Sequence, residues 1–504
     1  MRRSRAAILL IAAAIGCAEP EERSRSDPDS SSPAPATATR EGEDPRSPAA
    51  PSVPEFRLRL DAAAHTVNAE VELDVPGATA VHLLFLSEFE GYPDLDGRLR
   101  ELEARGPDGP LVLARPVDGL GSGHYSIDVS QPQRVTIVYA LALDPPNDSR
   151  LYHRVSQLAA SGGHLLGRDC MPRLWLGQPR ADPQPVKLRF SGMPPDWHVG
   201  TVAPRAGTGY GVADIIDAVF VVGPLRQRQL NLGPRSLVTA VYGRWPSGDE
   251  RVFDAIRRAA GSLHRIAGDG WARGDYVIGA GKVPPAVPGQ STGGQVVGHS
   301  AITYVAGPAP ADLEFRSWLH TTTHELTHWY IPTGFRFEGQ PPSWFAEGFT
   351  DYLALKILLV AGLIEPQEFL DEIDARWMRY RGSPLYGQTS IVEAEADFWS
   401  DDAYQYIYDG GSAAAFLLDL GFQDRGGSLE RTLKEVRRAE PVTAESLTAA
   451  LAAVRENRWI EDWLADGTNP DWESRFEGYG LTRRNDSLVS LNDWATNALS
   501  SIRP

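Results

Sequence analysis

Hydrophobic and polar residues alternate with a period of two along several early segments of the chain. Phe56-Arg57-Leu58-Arg59-Leu60 is one such run, and Val67-Asn68-Ala69-Glu70-Val71-Glu72-Leu73 is another. Successive strand side chains point to opposite faces, so this alternation predicts half-buried β-strands. Further strands are expected over 81–86, 134–141 and 186–190, separated by turn formers such as Asp144-Pro145-Pro146-Asn147-Asp148. Together they predict a β-sandwich-like N-terminal domain over residues 54–226. The stretch 151–185 follows no clear period.

From about residue 227 the pattern mixes. Residues 237–242 and 275–278 read as strands, while 250–267 places Val252, Ile256, Leu263 and Ile266 on one helical face. Phe315, Trp318, Leu319, Leu326 and Trp329 form an apolar set that fits a buried helix. Pro341-Pro342-Ser343 then interrupts the chain, with Ser343 as the expected N-cap of a second helix. That helix runs through Trp344, Phe345, Phe349, Leu353 and Ile357 to a stop near Gly362. Helices continue to about residue 438. The expected fold class is multidomain α+β, with a mostly helical second domain over 227–440 and a C-terminal helical region over 441–504. No internal repeat is evident.

The first 53 positions suggest a cellular address. Arg2, Arg3 and Arg5 precede an apolar run from Ala6 to Ile15, too short to span a bilayer as a helix and suited to a signal peptide over 1–17. Ala14-Ile15-Gly16-Cys17 resembles a bacterial lipobox, which makes Cys17 the expected lipidation site and points to an exported, membrane-anchored lipoprotein of the bacterial outer membrane. A plain secretory signal is the alternative. Residues 18–52 hold no large hydrophobic side chain. They cannot offset ordering entropy and are expected to form a disordered tether with an r.m.s. span of roughly 35 Å. With Cys17 lipidated, Cys170 has no disulfide partner and reads as a small buried residue. The formal charge of −17 argues against nucleic-acid binding and against adhesion to anionic lipid through a basic patch. Contact with membrane is expected through the lipid anchor alone.

The chemistry lies in His324-Glu325-Leu326-Thr327-His328 and in Glu347, nineteen positions after the second histidine. Residues four apart share a helical face, so His324 and His328 can meet one zinc ion, and Glu347 from the next helix can complete a His2Glu set. Three protein ligands leave a fourth position for water, as in catalytic sites. Glu325, set between the histidines, cannot easily ligate the same ion but can reach that water as a general base. Asp351, one turn after Glu347, is the candidate to orient His324 through its other ring nitrogen. His320 extends the histidine row by another turn, yet side chains spread over more than two turns of one helix cannot easily converge on one ion. His299 is either a substrate contact or a surface residue.

The segments His324–Trp329 and Trp344–Tyr352 resemble the gluzincin metallopeptidases, and within them the glycyl aminopeptidase family, a relative of the aminopeptidase N family. The resemblance implies a β-rich N-terminal domain followed by a thermolysin-like, mostly helical catalytic domain. It implies one Zn2+ on His324, His328 and Glu347, with Glu325 as base. Family members show a Y-x-K-G motif whose tyrosine stabilises the transition state. Here the matching run is Tyr408-Asp409-Gly410-Gly411, which makes Tyr408 the candidate, with Tyr404 and Tyr406 as rivals. The lysine of that motif is replaced by Gly410. The family also carries a glycine-rich, glutamate-bearing stretch that holds the substrate backbone and free amine. Its counterpart supplies Gly293, Gly294 and Gln295 as substrate-binding candidates but contains no acid. Many relatives add a C-terminal PDZ domain, for which the residues after Leu481 leave no room.

Three functions follow as expectations. The first is a zinc-dependent aminopeptidase acting on peptide or protein substrates. The second is a zinc endopeptidase or oligopeptidase. The third is a non-catalytic lipoprotein that binds peptide or cell-wall material on the peptidase fold.

Overall fold

A computed structural model describes residues 53–490, apart from 90–92, 116–121, 147–151, 179–181, 269–273, 284–290, 308–310, 440 and 485–486. The expected signal peptide, tether and lipidation site Cys17 lie outside the described residues. No helix among the described residues is long and apolar enough to cross a membrane.

The N-terminal region is built of sheets. Residues Thr66–Val75 bury Val67, Ala69, Val71, Leu73 and Val75 on one face, as the alternation requires. This strand pairs antiparallel with Glu55–Asp61 and with Gln133–Ala142 inside an eight-stranded sheet. Two four-stranded sheets supply Val81, Leu83 and Ile127, and Leu165, Phe220 and Val222, to the core packed beneath it. Stacked sheets with one shared interior make the sandwich-like layer expected from the sequence. The stretch without a clear period also folds as strands, Gln157–Ala159, Gly162–Leu166 and Arg173–Leu176. All five residues of Gly162–Leu166 are buried, so no alternation could mark it. Cys170 is buried beside them, its thiol pKa pushed up by burial.

The second sheet has five strands: β1 (Arg226–Leu232), β2 (Arg235–Tyr242), β3 (Tyr276–Val283), β4 (Ser291–Val297) and β5 (Ser300–Ala306), in the order β1-β2-β3-β5-β4. Helix α1 (Asp249–Ala267) makes the crossover between the parallel strands β2 and β3. Strand β4 turns back antiparallel along β5 and forms one edge. Gly298 makes the turn at φ 53°, in the left-handed region where a side chain is strained.

Helix α2 (Ala311–His328) lies on this sheet. The Trp318 indole N–H donates to Thr303 Oγ1 of β5 at 3.1 Å, and the Thr322 hydroxyl donates to the same oxygen at 3.1 Å. Helix α3 spans Trp344–Val360 and opens with a π-helical turn over Trp344–Phe349. Here the structure departs from the sequence reading. Ser343 is already helical, at φ −65° and ψ −33°, and its side chain caps nothing. The N–H groups of Ser343 and Trp344 donate instead to the Glu395 carboxylate, and those of Phe345 and Ala346 to the Pro342 carbonyl. A distant acid thus does the work of a local cap. Gly362 ends the helix at φ 62°.

Helices α4 (Pro366–Gly382) and α5 (Asp401–Gln423) complete the surround of the site. Helices α3 and α5 meet glycine on glycine. A methyl group on Gly348 would stand 2.5 Å from the Gly411 Cα, so only bare backbones permit this crossing. The Tyr352 hydroxyl of α3 and the buried Lys356 ammonium both donate to Asp419 of α5. Gly348→Ala is therefore expected to force the two helices apart and cost about 1–3 kcal/mol. Equilibrium denaturant unfolding would measure it, and an unchanged midpoint would refute the close crossing.

Candidate metal centre

His324 and His328 stand one turn apart on α2, their rings 4.6 Å apart and nearly perpendicular at 87°. The π turn of α3 brings Glu347 over both. Its Oε2 lies 3.3 Å from His324 Nε2 and 3.4 Å from His328 Nε2. The three ligand atoms sit within 4.8 Å of one another. Ligand atoms about 2.0–2.1 Å from one tetrahedral zinc ion stand roughly 3.3 Å apart, so the side chains fit a His2Glu zinc site. The donor set of two imidazoles and one carboxylate is also that of catalytic zinc.

Charge supports the same reading. Burial opposes the charge on Glu347, but the two imidazoles hold its carboxyl far below the usual carboxylate range. Burial also opposes charge on His328, yet Glu347 and the Ile331 carbonyl overcome it and raise this imidazole to about 9. That carbonyl faces His328 Nδ1 at 3.1 Å, leaving Nε2 for the metal side. Burial pushes His324 down, with Glu347 only partly offsetting it. The three groups together hold about one extra proton near neutral pH.

Glu325 is buried on the same turn of α2. It faces strand β4, where a methyl on Gly294 would lie 2.5 Å from its Cγ. Its charge acts on both His328 and Tyr404. Gly293 points to the other face of β4, against Tyr304 and His153, and Gln295 alternates to that face too. The Gln295 side chain is buried with neither amide atom hydrogen-bonded, so it stands away from Glu325 while its backbone remains on the edge strand.

Tyr408 of α5 reaches the centre. Its ring stacks on His324 at 5.7 Å and 17°, and its hydroxyl hydrogen-bonds Glu347 and Tyr404. Burial, then Glu347, pushes this phenol well above its usual value, so it remains a proton-bearing donor. Tyr404 packs on Tyr408 at 4.3 Å. Tyr406 points away, donating to the Thr389 carbonyl at 2.9 Å. The family lysine has no room at Gly410, because a side chain there would meet the Tyr380 ring at 2.5 Å.

Asp351 departs from its expected role. Its Oδ1 is 3.9 Å from His324 Nδ1, beyond hydrogen-bond reach, and 3.2 Å from His320 Nε2. The Arg376 guanidinium of α4 pairs with Asp351 and contacts His320 Nε2 at 2.9 Å. His320 thus belongs to an Asp351–Arg376 cluster beside the metal group, outside the ligand set. Sequence reading missed Arg376, since nothing in the spacing of α4 ties it to α3. The His299 ring lies 5.2 Å from the Tyr276 ring and outside the ligand group.

The charge states have a measurable consequence. With His328 protonated below about pH 9 in the metal-free site, zinc must displace about one proton. Apparent affinity is expected to rise about tenfold per pH unit from pH 7 toward 9 and then level off. Metal titrations in buffers of different ionisation enthalpy check this, and a pH-independent affinity would contradict it.

Residues 317–413 match the M61 glycyl aminopeptidase family. No curated protein matches the chain. The fold is similar to that of an aminopeptidase N family protein from Idiomarina loihiensis, with a TM-score of 0.71 and 16% identity, covering 85% of this chain and 79% of that one. It is also similar to a mutant form of an M1 zinc metallopeptidase from Deinococcus radiodurans, with a TM-score of 0.50 and 13% identity, covering 84% of this chain and 95% of that one. The chain thus resembles the gluzincin metallopeptidases, with the glycyl aminopeptidase family matched over the segment that carries the candidate metal group and a fold similar to that of the aminopeptidase N family protein.

Proposed function

We propose that this protein is a zinc-dependent peptidase that removes N-terminal residues from peptides, exported and anchored through a lipid on Cys17. The observation that carries the catalytic part is the convergence of His324, His328 and Glu347 on one point with Glu325 and Tyr408 beside it. The metal, when bound to those three side chains, lowers the pKa of water and polarises a peptide carbonyl.

The chain's own residues supply the rest. Glu325 accepts the proton of the attacking water and returns it to the departing amine. Tyr408, kept protonated by its buried surroundings, donates a hydrogen bond to the oxygen that gains charge as the carbonyl is attacked. Removing one such donor typically costs about 2.7–4 kcal/mol of barrier. Strand β4 offers its open edge to an extended peptide backbone, as in other strand-addition complexes. Burial of the centre under α5 strengthens each of these interactions.

An endopeptidase reading is favoured by one observation, that strand β4 carries no acidic residue to receive a free amine. Export and anchoring rest on the residues before Ala18.

Glu325→Gln is expected to keep one zinc per chain and lose hydrolysis by about 10²–10⁴-fold. Metal analysis and turnover of a short peptide test this together, and near-normal turnover would remove Glu325 as the base. Comparing a free with an N-acetylated peptide on the wild-type enzyme decides between the two readings. Loss of cleavage on acetylation supports the aminopeptidase.

A further inference from the structure

One segment of the N-terminal region spans between strand β4 and the residues just before α5, two elements that flank the candidate metal group. Tyr152 is buried with its ring 5.3 Å from the Tyr304 ring of β5. His153 stacks on the same tyrosine at 5.9 Å and 19°, against Gly293 of the edge strand. The Arg154 guanidinium carbon lies 5.6 Å from the centre of the Trp399 ring.

Trp399 is 61% exposed, unusual for so large an apolar ring, and stands just before α5. It starts an aromatic row that leads inward. Phe398 packs on Trp399 at 5.1 Å, Tyr404 on Phe398 at 5.6 Å, and Tyr408 on Tyr404 at 4.3 Å, ending at Glu347. The His153-Arg154 pair therefore reaches from the strand beside Glu325 to the aromatic row that ends beside Glu347.

The charge pattern there is specific. Glu325 and the Glu347–imidazole group line the floor. His153 is pushed down to about 3 by burial and then by Arg154, so it is neutral. Arg154 brings a positive charge that is felt at His153 and at the Tyr404 hydroxyl, and Arg168 acts on His153 as well. A guanidinium presents a planar fork of N–H donors that matches a carboxylate with two parallel hydrogen bonds. An exposed indole beneath it keeps that fork oriented.

We propose that Arg154 is a specificity-determining residue that binds a carboxylate of the peptide substrate while the bond to be cut lies at His324, His328 and Glu347. The inference deepens the peptidase reading and rests on it. The carboxylate comes either from an acidic side chain near the scissile bond or from the free C-terminus of a short peptide. Both present the same chemistry to the guanidinium.

The test uses the zinc-loaded full chain and three tripeptides. One is neutral and C-amidated, one C-amidated with a glutamate, and one neutral with a free C-terminus. The wild type is expected to favour at least one carboxylate-bearing peptide by about 10–100-fold in kcat/KM, mostly through KM. In Arg154→Gln, checked for zinc content and circular dichroism, that ratio should collapse toward one. The peptide that gains identifies the source of the carboxylate. A wild-type ratio near one for both acids, or a ratio retained in Arg154→Gln, overturns the proposal. If the wild type cleaves none of the three, the peptidase reading fails. Calorimetric binding of the same peptides to wild type and Arg154→Gln then decides the carboxylate contact, and equal affinities overturn it.

Discussion

A single carboxylate oxygen held between two imidazoles is the constraint around which this molecule is arranged. Glu347 Oε2 stands within 3.4 Å of both His324 and His328. Charged groups that are largely withdrawn from water are costly unless paired, and pairing needs two helices from separate segments to approach in one orientation. The π turn at the start of α3 sets Glu347 on the needed face, a common placement for such turns at functional sites. The bare-backbone contact of Gly348 with Gly411 then lets α5 come close enough for Tyr408 to touch the same carboxylate.

Around this centre other charges are balanced locally. Asp351 is buried but held well below the usual carboxylate range, burial being outweighed by Arg376 and His320. Breaking such a buried pair by removing one partner typically costs about 3–5 kcal/mol. The pair fixes α4 against α3 one turn from Glu347, while Arg379 of α4 pairs with Asp409 of α5, so the three helices are tied to one another around the group. Tyr380 fills the space left at Gly410, and its hydroxyl accepts from the Trp463 indole at 2.8 Å. The altered position in the family motif is thus compensated by aromatic packing that extends into the C-terminal helices.

The sequence pointed to the three side chains that the fold brings together as a candidate metal group, because the spacing of two of them encodes their geometry. His324 and His328 share a face by helical period, and no tertiary information is needed to bring them together. The alternating strands Glu55–Asp61 and Thr66–Val75 were legible for the same reason. Gly162–Leu166 was not, because a strand buried on both faces loses its period. Ser343 misled because a serine before an apolar run usually caps a helix, whereas Glu395, far along the chain, had taken that task. Arg376 and Arg154 were invisible for a related reason. Their significance lies in which side chains the fold brings beside them.

The seam between the two halves has a further consequence. Tyr152, Leu166, Val221 and Leu225 from one side interlock with Tyr242, Ile302 and Tyr304 from the other in one apolar cluster. Fully burying a large apolar side chain contributes about 1.5–3 kcal/mol, so prying the halves apart would expose several such groups at once. The two sets of sheets therefore hold together as one cooperative body, and a destabilising change on either side of the seam weakens both.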